Sequence, residues 1–446
     1  MLNRKTIIEK YKNNFEQFEK AVNEQKEHSL RNLRNDAMRI FEELGVPTKK
    51  DEEWRFTDLQ PLFDKPFRLI LPQGVSFPDK RELCSFLYQN FNGPQFVFVD
   101  GVFSAELSTA IDRETFGIVL TSLSGHIRED VRALHELGEE KTIRANAFAA
   151  LNTAFATDGM VIRVPDNVVI EAPVNILYIS SRNARGTAHS VRNMIKIGKH
   201  AQARIIETYL SLAETDHFTN TMTTIDIAAG GRLIHNKIQN ESVQAFHIGN
   251  LFVRQNQNSR FVSNNIAFGG KLVRNNITVT LQGQGADTHL YGLYLGNRQQ
   301  HIDNNTLIDH AVSECTSNEL YQGILSDKAT AVFSGKILVR PDAQKTDAVQ
   351  NNRCLLLSDD ARINTKPQLE IYADDVKCTH GATVGQLDEE AIFYLRSRGI
   401  SQQRAKNLMI YAFAEHIIEQ MKVASVREFV DAILLKRFKE NMNFVK

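Results

Sequence analysis

Two stretches near the middle of the chain resemble each other: IKIGKHAQARI at residues 195–205 aligns with IDIAAGGRLIH at residues 225–235. Each consists of two short β-branched runs separated by small or turn-forming residues, which is the pattern of a strand, a turn and a second strand. Because such cassettes recur without the helices that a doubly wound sheet requires, they favour a parallel β-solenoid. A β-sandwich or barrel with ordinary hairpins is the alternative.

Strand-like runs of the same kind continue from about residue 156 to residue 386, so the chain is predicted to be mainly β. DDARI at residues 359–363 also aligns with DDVKC at residues 374–378. Asparagine pairs recur along this block, at positions 264/265, 275/276, 304/305 and 351/352. Since asparagine adopts left-handed backbone angles at turns, we expect these pairs to form the corners of stacked coils.

The N-terminal part has helical periodicity. From Ile7 to Leu44 the apolar residues fall at the spacing of two amphipathic helices, and Gly45 follows the second as a helix stop. Residues 60–150 look mixed, with short strands beside helices predicted at 126–138 and 143–156. We therefore assign residues 1–155 to an N-terminal helical and mixed domain, followed by a β core at 156–386.

The period of 3.6 residues returns after the β core. Asp388 and Ser401 are predicted to cap two helices, and Gly399 is predicted to end the first of them. Ser425 with Glu428 has the pattern of a capping box for a third helix. Residues 387–446 are therefore predicted to form a C-terminal helical domain.

Charge and hydropathy exclude several classes of protein. The 446 residues include 53 basic and 53 acidic side chains, so the formal net charge is zero. Such a chain lacks the long-range field of a general nucleic-acid or membrane-surface binder, although a local basic patch is compatible with it. Neither a signal peptide nor a run of roughly 18 apolar residues occurs. We expect a cytoplasmic protein with no nucleic-acid or membrane partner.

Common catalytic and nucleotide-binding motifs are absent from the sequence. No G-x-x-x-x-G-K-[ST] loop occurs, and GQGAD at residues 283–287 lacks the third glycine of a dinucleotide fingerprint. We therefore expect this chain alone to bind no nucleotide. A G-x-S-x-G elbow is also missing, so the sequence gives no support to a hydrolase triad.

Paired aspartates offer an enzymatic alternative. Asp359 with Asp360 and Asp374 with Asp375 would be the acid and base of a β-helix enzyme acting on polysaccharide, in the cytosol or after export. Adjacent strand residues point to opposite faces, however, which is poor geometry for two groups that share one substrate. Solvated turn aspartates are the simpler interpretation.

The four cysteines are widely separated and contain no C-x-x-C pair, so they predict neither a disulfide framework nor a self-sufficient metal site. They are Cys84, Cys315, Cys354 and Cys378. A reducing compartment fits this pattern.

Cys378-Thr379-His380 is the most informative local unit. On an extended backbone, Cys378 and His380 project from the same face, which places a thiol beside an imidazole. These ligands together suit iron, an iron-sulfur species or zinc, but two do not complete a tetrahedral site. Either distant residues such as Cys354 or His310 converge on the pair, or a second chain supplies the rest. The alternative is a buried cysteine beside a hydrogen-bonded histidine.

Eight further histidines fall in the β block without H-x-H spacing, so we expect most of them to be turn or surface residues. They are His189, His200, His217, His235, His247, His289, His301 and His310.

Two segments carry a family resemblance. DDVKCTHGATVGQLDEEAIFYLRSRGI at residues 374–400 resembles the signature of the SufB/SufD family of iron-sulfur cluster assembly proteins, and its Cys-Thr-His-Gly core is similar to the SufD branch. DEEWRFTDL at residues 51–59 resembles the N-terminal motif of the same branch. The resemblance implies a right-handed parallel β-helix flanked by helical domains. It also implies a scaffold role rather than catalysis.

The family's properties imply partners and a site. A SufB-like paralogue would pair with this chain through the β-helix, and a SufC-like ABC ATPase would bind the C-terminal helices. The functional histidine of the family maps onto His380, where a nascent iron-sulfur cluster would be shared transiently with the paralogue. Cys378 is its neighbour, and Cys354 in NNRCLLLS is a weaker candidate ligand. Reduced flavin is a further cofactor that the resemblance implies for such complexes, and a homodimer is the alternative assembly of the isolated chain.

Overall fold

The alternating runs of the central block form β-strands, as their period of two requires. The structure, a computed structural model, describes residues 3–23, 30–83, 86, 88–109, 118–129 and 139–440. Cys84 and most of the helix predicted at 126–138 lie outside the described residues. The strands are β1 (Arg68–Leu69), β2 (Gln95–Val99), β3 (Val102–Ser104), β4 (Val119–Ser122), β5 (Met160–Val164), β6 (Val174–Ser180), β7 (Thr187–Ile197), β8 (Gln202–Ser211), β9 (His217–Ile227), β10 (Arg232–Asn240), β11 (Phe246–Gln255), β12 (Arg260–Ala267), β13 (Leu272–Leu281), β14 (Asp287–Gly296), β15 (His301–His310), β16 (Thr316–Leu325), β17 (Thr330–Val339), β18 (Thr346–Leu356), β19 (Arg362–Ile371) and β20 (Val376–Gly385).

Helices lie at both ends of the chain, where the period of 3.6 residues predicts them. They are α1 (Arg4–Asn23), α2 (Arg31–Leu44), α3 (Gln60–Phe63), α4 (Lys80–Leu83), α5 (Leu123–Glu129), α6 (Glu140–Ile143), α7 (Ala147–Ala154), α8 (Glu389–Ser397), α9 (Gln402–Ile418) and α10 (Ala424–Glu440). The predicted pair of N-terminal helices is confirmed as α1 and α2. Gly45 ends α2 with a φ of 64°, and its N–H bonds to the carbonyl of Phe41 at 2.8 Å.

Each coil of the core contributes one strand to each of two sheets. Sheet A has the order β19-β17-β15-β13-β11-β9-β7-β5-β4, and sheet B has the order β20-β18-β16-β14-β12-β10-β8-β6-β2-β3. Neighbouring strands are parallel except in the pairs β4 with β5 and β2 with β3. Phe246 pairs with Leu272, and Thr330 with Arg362, so these two coils take 26 and 32 residues. The core is the parallel β-helix that the sequence predicts.

The two aligned cassettes stack directly on one another. Ile195 pairs with Ile225, and Ile205 pairs with His235, so the alignment read from the sequence is the register of two successive coils. The weaker alignment has a different origin: Ile363 lies in sheet A and Cys378 in sheet B. It therefore relates two strands of one coil rather than two stacked rows.

The corners are not formed by the asparagine pairs. Asn264, Asn275, Asn304 and their neighbours lie inside strands, so this expectation was wrong. Their amides instead bond to amides of nearby strands, as Asn275 Nδ2 does to Asn304 Oδ1 at 3.2 Å. Asparagine suits these positions because its side chain both donates and accepts, so each residue bonds to part of the row, while atoms such as Asn264 Oδ1 and Asn304 Nδ2 have no hydrogen-bond partner among the described residues.

Left-handed residues do mark the corner that follows the strands of sheet A. Positive φ angles recur there in successive coils, at Asn167, His200, Gly230, Asn258, Gly285, Glu314 and Lys345. Main-chain bonds connect these corners from coil to coil, such as His200 N–H to the carbonyl of Ala229 at 3.0 Å. The corner is thus set by a backbone conformation that several residue types adopt, which is why no single residue type signals it in the sequence.

The N-terminal part packs on the outer face of sheet A. One apolar cluster joins Phe41 of α2 and Phe148 of α7 to Phe218 and Phe246 of the sheet. Trp54 belongs to this cluster, and the guanidinium of Arg274 lies 3.7 Å from the centre of its ring. Arg274 Nη1 also donates to the carbonyl of Glu53 at 2.8 Å. These contacts fix the DEEWRFTDL segment against the β-helix.

The C-terminal helices pack on the outer face of sheet B, where Ile410 and Ile417 of α9 join an apolar cluster with Leu293 and Ile324. Asp388 and Ser401 cap α8 and α9 through their side chains, as predicted. The predicted capping box is wrong, because α10 already begins at Ala424 and Ser425 lies inside its first turn.

None of the helices that the structure describes combines the length and the apolar content that a transmembrane helix needs.

Candidate functional site

The last coil leaves one end of the β-helix open. Strand β19 pairs only with β17, and β20 pairs only with β18, among the strands that the structure describes. Their outer edges therefore present unpaired backbone N–H and C=O groups. Large apolar side chains are exposed at the same end: Tyr372 is 63% exposed and Val384 is 45% exposed. An edge of this kind is suited to pairing with a strand of another chain.

Cys378 and His380 lie on this terminal strand and share one face, as the sequence predicts. Cys378 pairs with Ala348 and His380 with Gln350, and both partners are buried inside the preceding coil. The two ligand candidates therefore lie over the interior of the β-helix, where no further coil of the described chain covers them. Cys378 is half-buried and His380 is exposed. Burial and the neighbouring Asp347 raise the pKa of the Cys378 thiol.

A buried polar column stands behind His380. Its register partner Gln350 pairs in turn with Glu319, and Gln350 Nε2 donates to Glu319 Oε2 at 2.7 Å. Glu319 is fully buried, and burial raises its pKa to about 7 even though hydrogen bonds from Thr306 and Gln350 lower it. Unlike Glu207 and Glu241, it has no cationic partner among the described residues to offset burial.

Glu319→Gln is expected to change the pH dependence of stability. The folded-state pKa of about 7 lies above the ordinary value of 4.5, so this group favours folding below pH 4.5 and loses that contribution as the pH rises through 7. Glutamine does not ionise, so E319Q should become the more stable protein between pH 5 and 8, by up to roughly 3 kcal/mol. Urea unfolding across this pH range measures the difference.

Glu314→Gln is the matched control, because Glu314 lies in the adjacent corner with its side chain 47% exposed. A parallel pH dependence in E319Q and the parent protein would show that Glu319 does not titrate in this window.

The structure does not bring Cys354 to the pair. Cys378 pairs with Ala348, whereas Cys354 lies six residues further along the same strand as Ala348 and pairs with Val384. Six residues of a strand separate Cys354 from Ala348 by about 20 Å. Its side chain is buried, and burial raises the pKa of the thiol to about 12. Cys354 is a packing residue of the core in this arrangement.

His310 is also engaged elsewhere. Its Nε2 lies 2.9 Å from Ser317 Oγ, and burial lowers its pKa to about 4. Within the described ranges, no group of three or more His, Cys, Asp or Glu side chains is arranged to hold a metal ion. The sequence left two ways to complete the site of Cys378 and His380. The described structure does not show the first of them, in which distant residues of the same chain converge on this pair.

The paired aspartates do not form a site. Asp359 and Asp360 lie in the corner between β18 and β19, whereas Asp374 and Asp375 lie in the opposite corner between β19 and β20. All four are exposed. They are turn aspartates, and the geometry offers no shared pocket for the acid and base of a polysaccharide-cleaving enzyme.

The sequence-based expectation for the histidines was wrong at five positions. Buried histidines line the β-helix at His189, His217, His235, His247 and His310. Two of them flank Glu241: His217 Nε2 lies 3.4 Å from Oε1, and His247 Nδ1 lies 2.7 Å from Oε2. Burial raises the pKa of Glu241, but His247 and His217 together outweigh burial and hold it well below the usual range.

A second buried carboxylate lies one coil away. Glu207 Oε1 accepts from Thr223 at 2.9 Å and faces His235 Nε2 at 3.2 Å, while Tyr209 donates to Oε2 at 2.6 Å. Burial raises the pKa of Glu207, but His235, Tyr209 and Lys237 lower it to about 2. The sequence contained a signal for this network. His235 aligns with the apolar Ile205 of the preceding cassette, so it occupies an inward-facing position of its strand.

Comparison with known proteins agrees with this architecture. Residues 5–176 match the family model described as the SufBD protein N-terminal region, and residues 178–413 match the one described as SUF system FeS cluster assembly, SufBD core domain. The chain belongs to the SufB/SufD family. The two matches cover both the N-terminal elements and the β-helix that carries Cys378 and His380.

Several SufB/SufD family members are similar along most of their length. An iron-sulfur cluster assembly SufBD family protein of Synechocystis is 34% identical over 408 residues, which cover 89% of each chain. The iron-sulfur cluster assembly protein SufD of Escherichia coli is 33% identical over 88% of this chain and 89% of its own. SufD of Bacillus subtilis is 24% identical over 92% of this chain. The chain is therefore a SufD-type iron-sulfur cluster assembly protein.

Proposed function

We propose that this chain is a non-catalytic scaffold subunit that supports iron-sulfur cluster assembly together with a SufB-like paralogue and a SufC-like ABC ATPase in the cytoplasm. The observation that carries the proposal is the open end of the β-helix, where Cys378 and His380 lie on an unpaired edge strand. A paralogue with the same fold would have an equivalent edge, so the two chains would continue each other's sheets.

The nascent cluster is the cargo of this assembly. His380 would offer an imidazole nitrogen and Cys378 a thiolate sulfur, which are ligand types that suit iron and iron-sulfur species. The paralogue would supply the remaining ligands across the interface, since the described chain places only this pair at the open end. We assign no ligand role to Cys354, because its thiol is enclosed in the core.

The C-terminal helices would couple the ATPase to the site. Phe393 and Tyr394 of α8 are 71% and 58% exposed, which is unusual for aromatic side chains and suits a protein partner. Helix α9 packs on β14 and β16 of sheet B. In that sheet β14 lies two coils and β16 one coil before β18, which pairs with the terminal strand β20. A displacement of these helices by ATP-driven movement of the partner would therefore act on the sheet that ends in Cys378 and His380. Reduced flavin in the assembled complex remains a prediction.

Disrupting the open edge tests the proposal. Tyr372→Asp combined with Val384→Asp places two charges on the edge, so we expect affinity for the SufB-like paralogue of the same organism to fall at least about tenfold, since burying an unpaired charge is costly. The ATPase should still bind, because α8 to α10 are unchanged. Copurification and quantitative binding of the three subunits measure both results.

Phe77→Asp is the control, since Phe77 is 44% exposed and lies in the N-terminal part of the chain. Unchanged paralogue binding by the Y372D/V384D variant would contradict pairing through the open edge. A complex that lacks the ATPase would contradict the role of the C-terminal helices, and a stable homodimer that excludes the paralogue would favour the alternative assembly.

A further inference from the structure

A groove runs between the outer face of sheet B and the connection from α9 to α10. It has a volume of about 920 Å³ and is distant in the coil order from Cys378, since it spans β8, β10, β12 and β14. Gln420 and Lys422 of the α9–α10 connection form one wall. Neither the proposed cluster site nor the open edge uses any of these residues.

Three arginines line the groove, one on each of three adjacent strands. Arg232 of β10 lies directly across from Arg260 of β12, at the spacing of about 4.8 Å between neighbouring strands. Arg204 of β8 pairs with Ile234, two residues further along β10 than Arg232. All three project outward, because their neighbours Ala203, Leu233 and Phe261 are buried inside the coil.

Most of this positive charge is not compensated. Within the ranges that the structure covers, Arg204 and Arg232 form no ion pair with an acidic side chain, and Asp287 alone pairs with Arg260, at 3.4 Å. Lys422 adds a fourth cation from the opposite wall. Like charges directly opposite each other on adjacent strands destabilise a sheet, so the pairing of Arg232 with Arg260 does not serve the fold.

Apart from Gln202 and Gln420, the rest of the groove is lined by apolar or aromatic side chains. Ile170, Ile234 and Val262 form its floor, and Val169 at its edge is 52% exposed. Tyr291 lies beside His289, with their rings stacked at a centroid distance of 6.1 Å. A concave, largely apolar site with a few convergent charged groups is the usual form of a small-molecule pocket.

We propose that this groove binds an organic phosphate, with the phosphoryl oxygens on Arg232, Arg260 and Arg204 and the apolar body of the ligand against Ile234, Val262 and Tyr291. A guanidinium group recognises phosphate through paired hydrogen bonds. Three such groups project from the same face of adjacent strands here. A groove bounded by the sheet on one side and the helix connection on the other suits a small molecule better than an extended macromolecule. The proposal is independent of the function proposed above.

Calorimetric titration of the full chain with 1-naphthyl phosphate tests the site, because this probe joins a phosphate to a flat apolar body. We expect saturable binding of one molecule per chain, with weaker binding of 1-naphthol and of inorganic phosphate, each of which lacks one half of the probe. The double variant R232Q/R260Q should weaken binding of the probe at least about tenfold.

R298Q/K328Q is the matched control, because it removes two positive charges from a different basic surface, near the corners after β14 and β16. It should bind the probe as the parent does. A second measurement separates binding from folding: Arg232→Gln should leave the stability of the free chain unchanged or raise it, since it removes the like-charge pair.

Four outcomes would overturn the proposal. They are absence of saturable binding, equal weakening by both double variants, equal affinity for inorganic phosphate and 1-naphthyl phosphate, and tighter binding of a glutamate-rich peptide than of the probe. The last would assign the groove to an acidic protein segment instead.

Discussion

Glu241→Ala is expected to lower the free energy of unfolding by about 3 to 5 kcal/mol, the largest loss of stability that we predict for a single substitution. Glu241 is buried and accepts hydrogen bonds from Thr219 Oγ1 at 2.6 Å and Gln239 Nε2 at 2.9 Å, and a ring nitrogen of each of the two histidines described above also contacts its carboxylate. Alanine would remove the partner of these four buried groups, and each unsatisfied buried group costs free energy.

Urea unfolding at neutral pH measures this loss. Glu214→Ala is the control, since Glu214 is an exposed corner residue of the preceding coil that accepts a bond from Ser242 at 2.9 Å. It should cost about 1 kcal/mol. A loss in E241A no greater than that of E214A would show that the buried donors find other acceptors and that the network does not depend on this carboxylate.

His380→Ala is expected to have the largest effect on function. Removal of the imidazole deletes one of the two ligand candidates of this chain, so cluster formation on the assembled complex should fall at least about tenfold. Mutation of residues that only contact a metal ligand already lowers metal affinity or activity by about that factor. Assembly of the three subunits should persist, because His380 projects over the interior while pairing depends on the strand edge. Anaerobic reconstitution followed by visible absorption and Mössbauer spectroscopy measures cluster formation.

Thr379→Ala provides a matched control on the same strand. Thr379 pairs with Val349 and projects from the opposite face, so its removal should leave cluster formation close to that of the parent complex. Equal cluster formation by H380A and T379A complexes would remove His380 from the site. Loss of subunit assembly in H380A would instead assign it a structural role at the interface.

Much of the architecture follows from local patterns. The coils were predicted from the period of two and from the aligned cassettes at 195–205 and 225–235. The C-terminal helices were predicted from the caps at Asp388 and Ser401. Each of these patterns depends on residues close in sequence. The shared face of Cys378 and His380 was predicted for the same reason. Capping failed at Ser425, because the helix begins at Ala424, two residues before the Val426 at which a helix capped by Ser425 would begin.

The misjudged residues have one common cause. The asparagine pairs and five histidines were assigned to turns or surface from their polarity, but they lie inside strands or inside the coil. Partners from coils about 30 residues away contact several of these side chains, as Glu207 Oε1 contacts His235 Nε2 at 3.2 Å. Residue type alone does not show whether such a partner exists.

The coil repeat, the flanking helices and the side-by-side placement of Cys378 and His380 could be predicted from the sequence, since all of these depend on short-range periodicity. Contacts between distant segments set which coil ends the β-helix, where Cys354 lies relative to that end, and which charges meet. Arg204, Arg232 and Arg260 share one face only because the lengths of successive corners set their register. A shift of one residue in one corner would turn a strand's outward side chains inward, so that grouping depends on the folded coil.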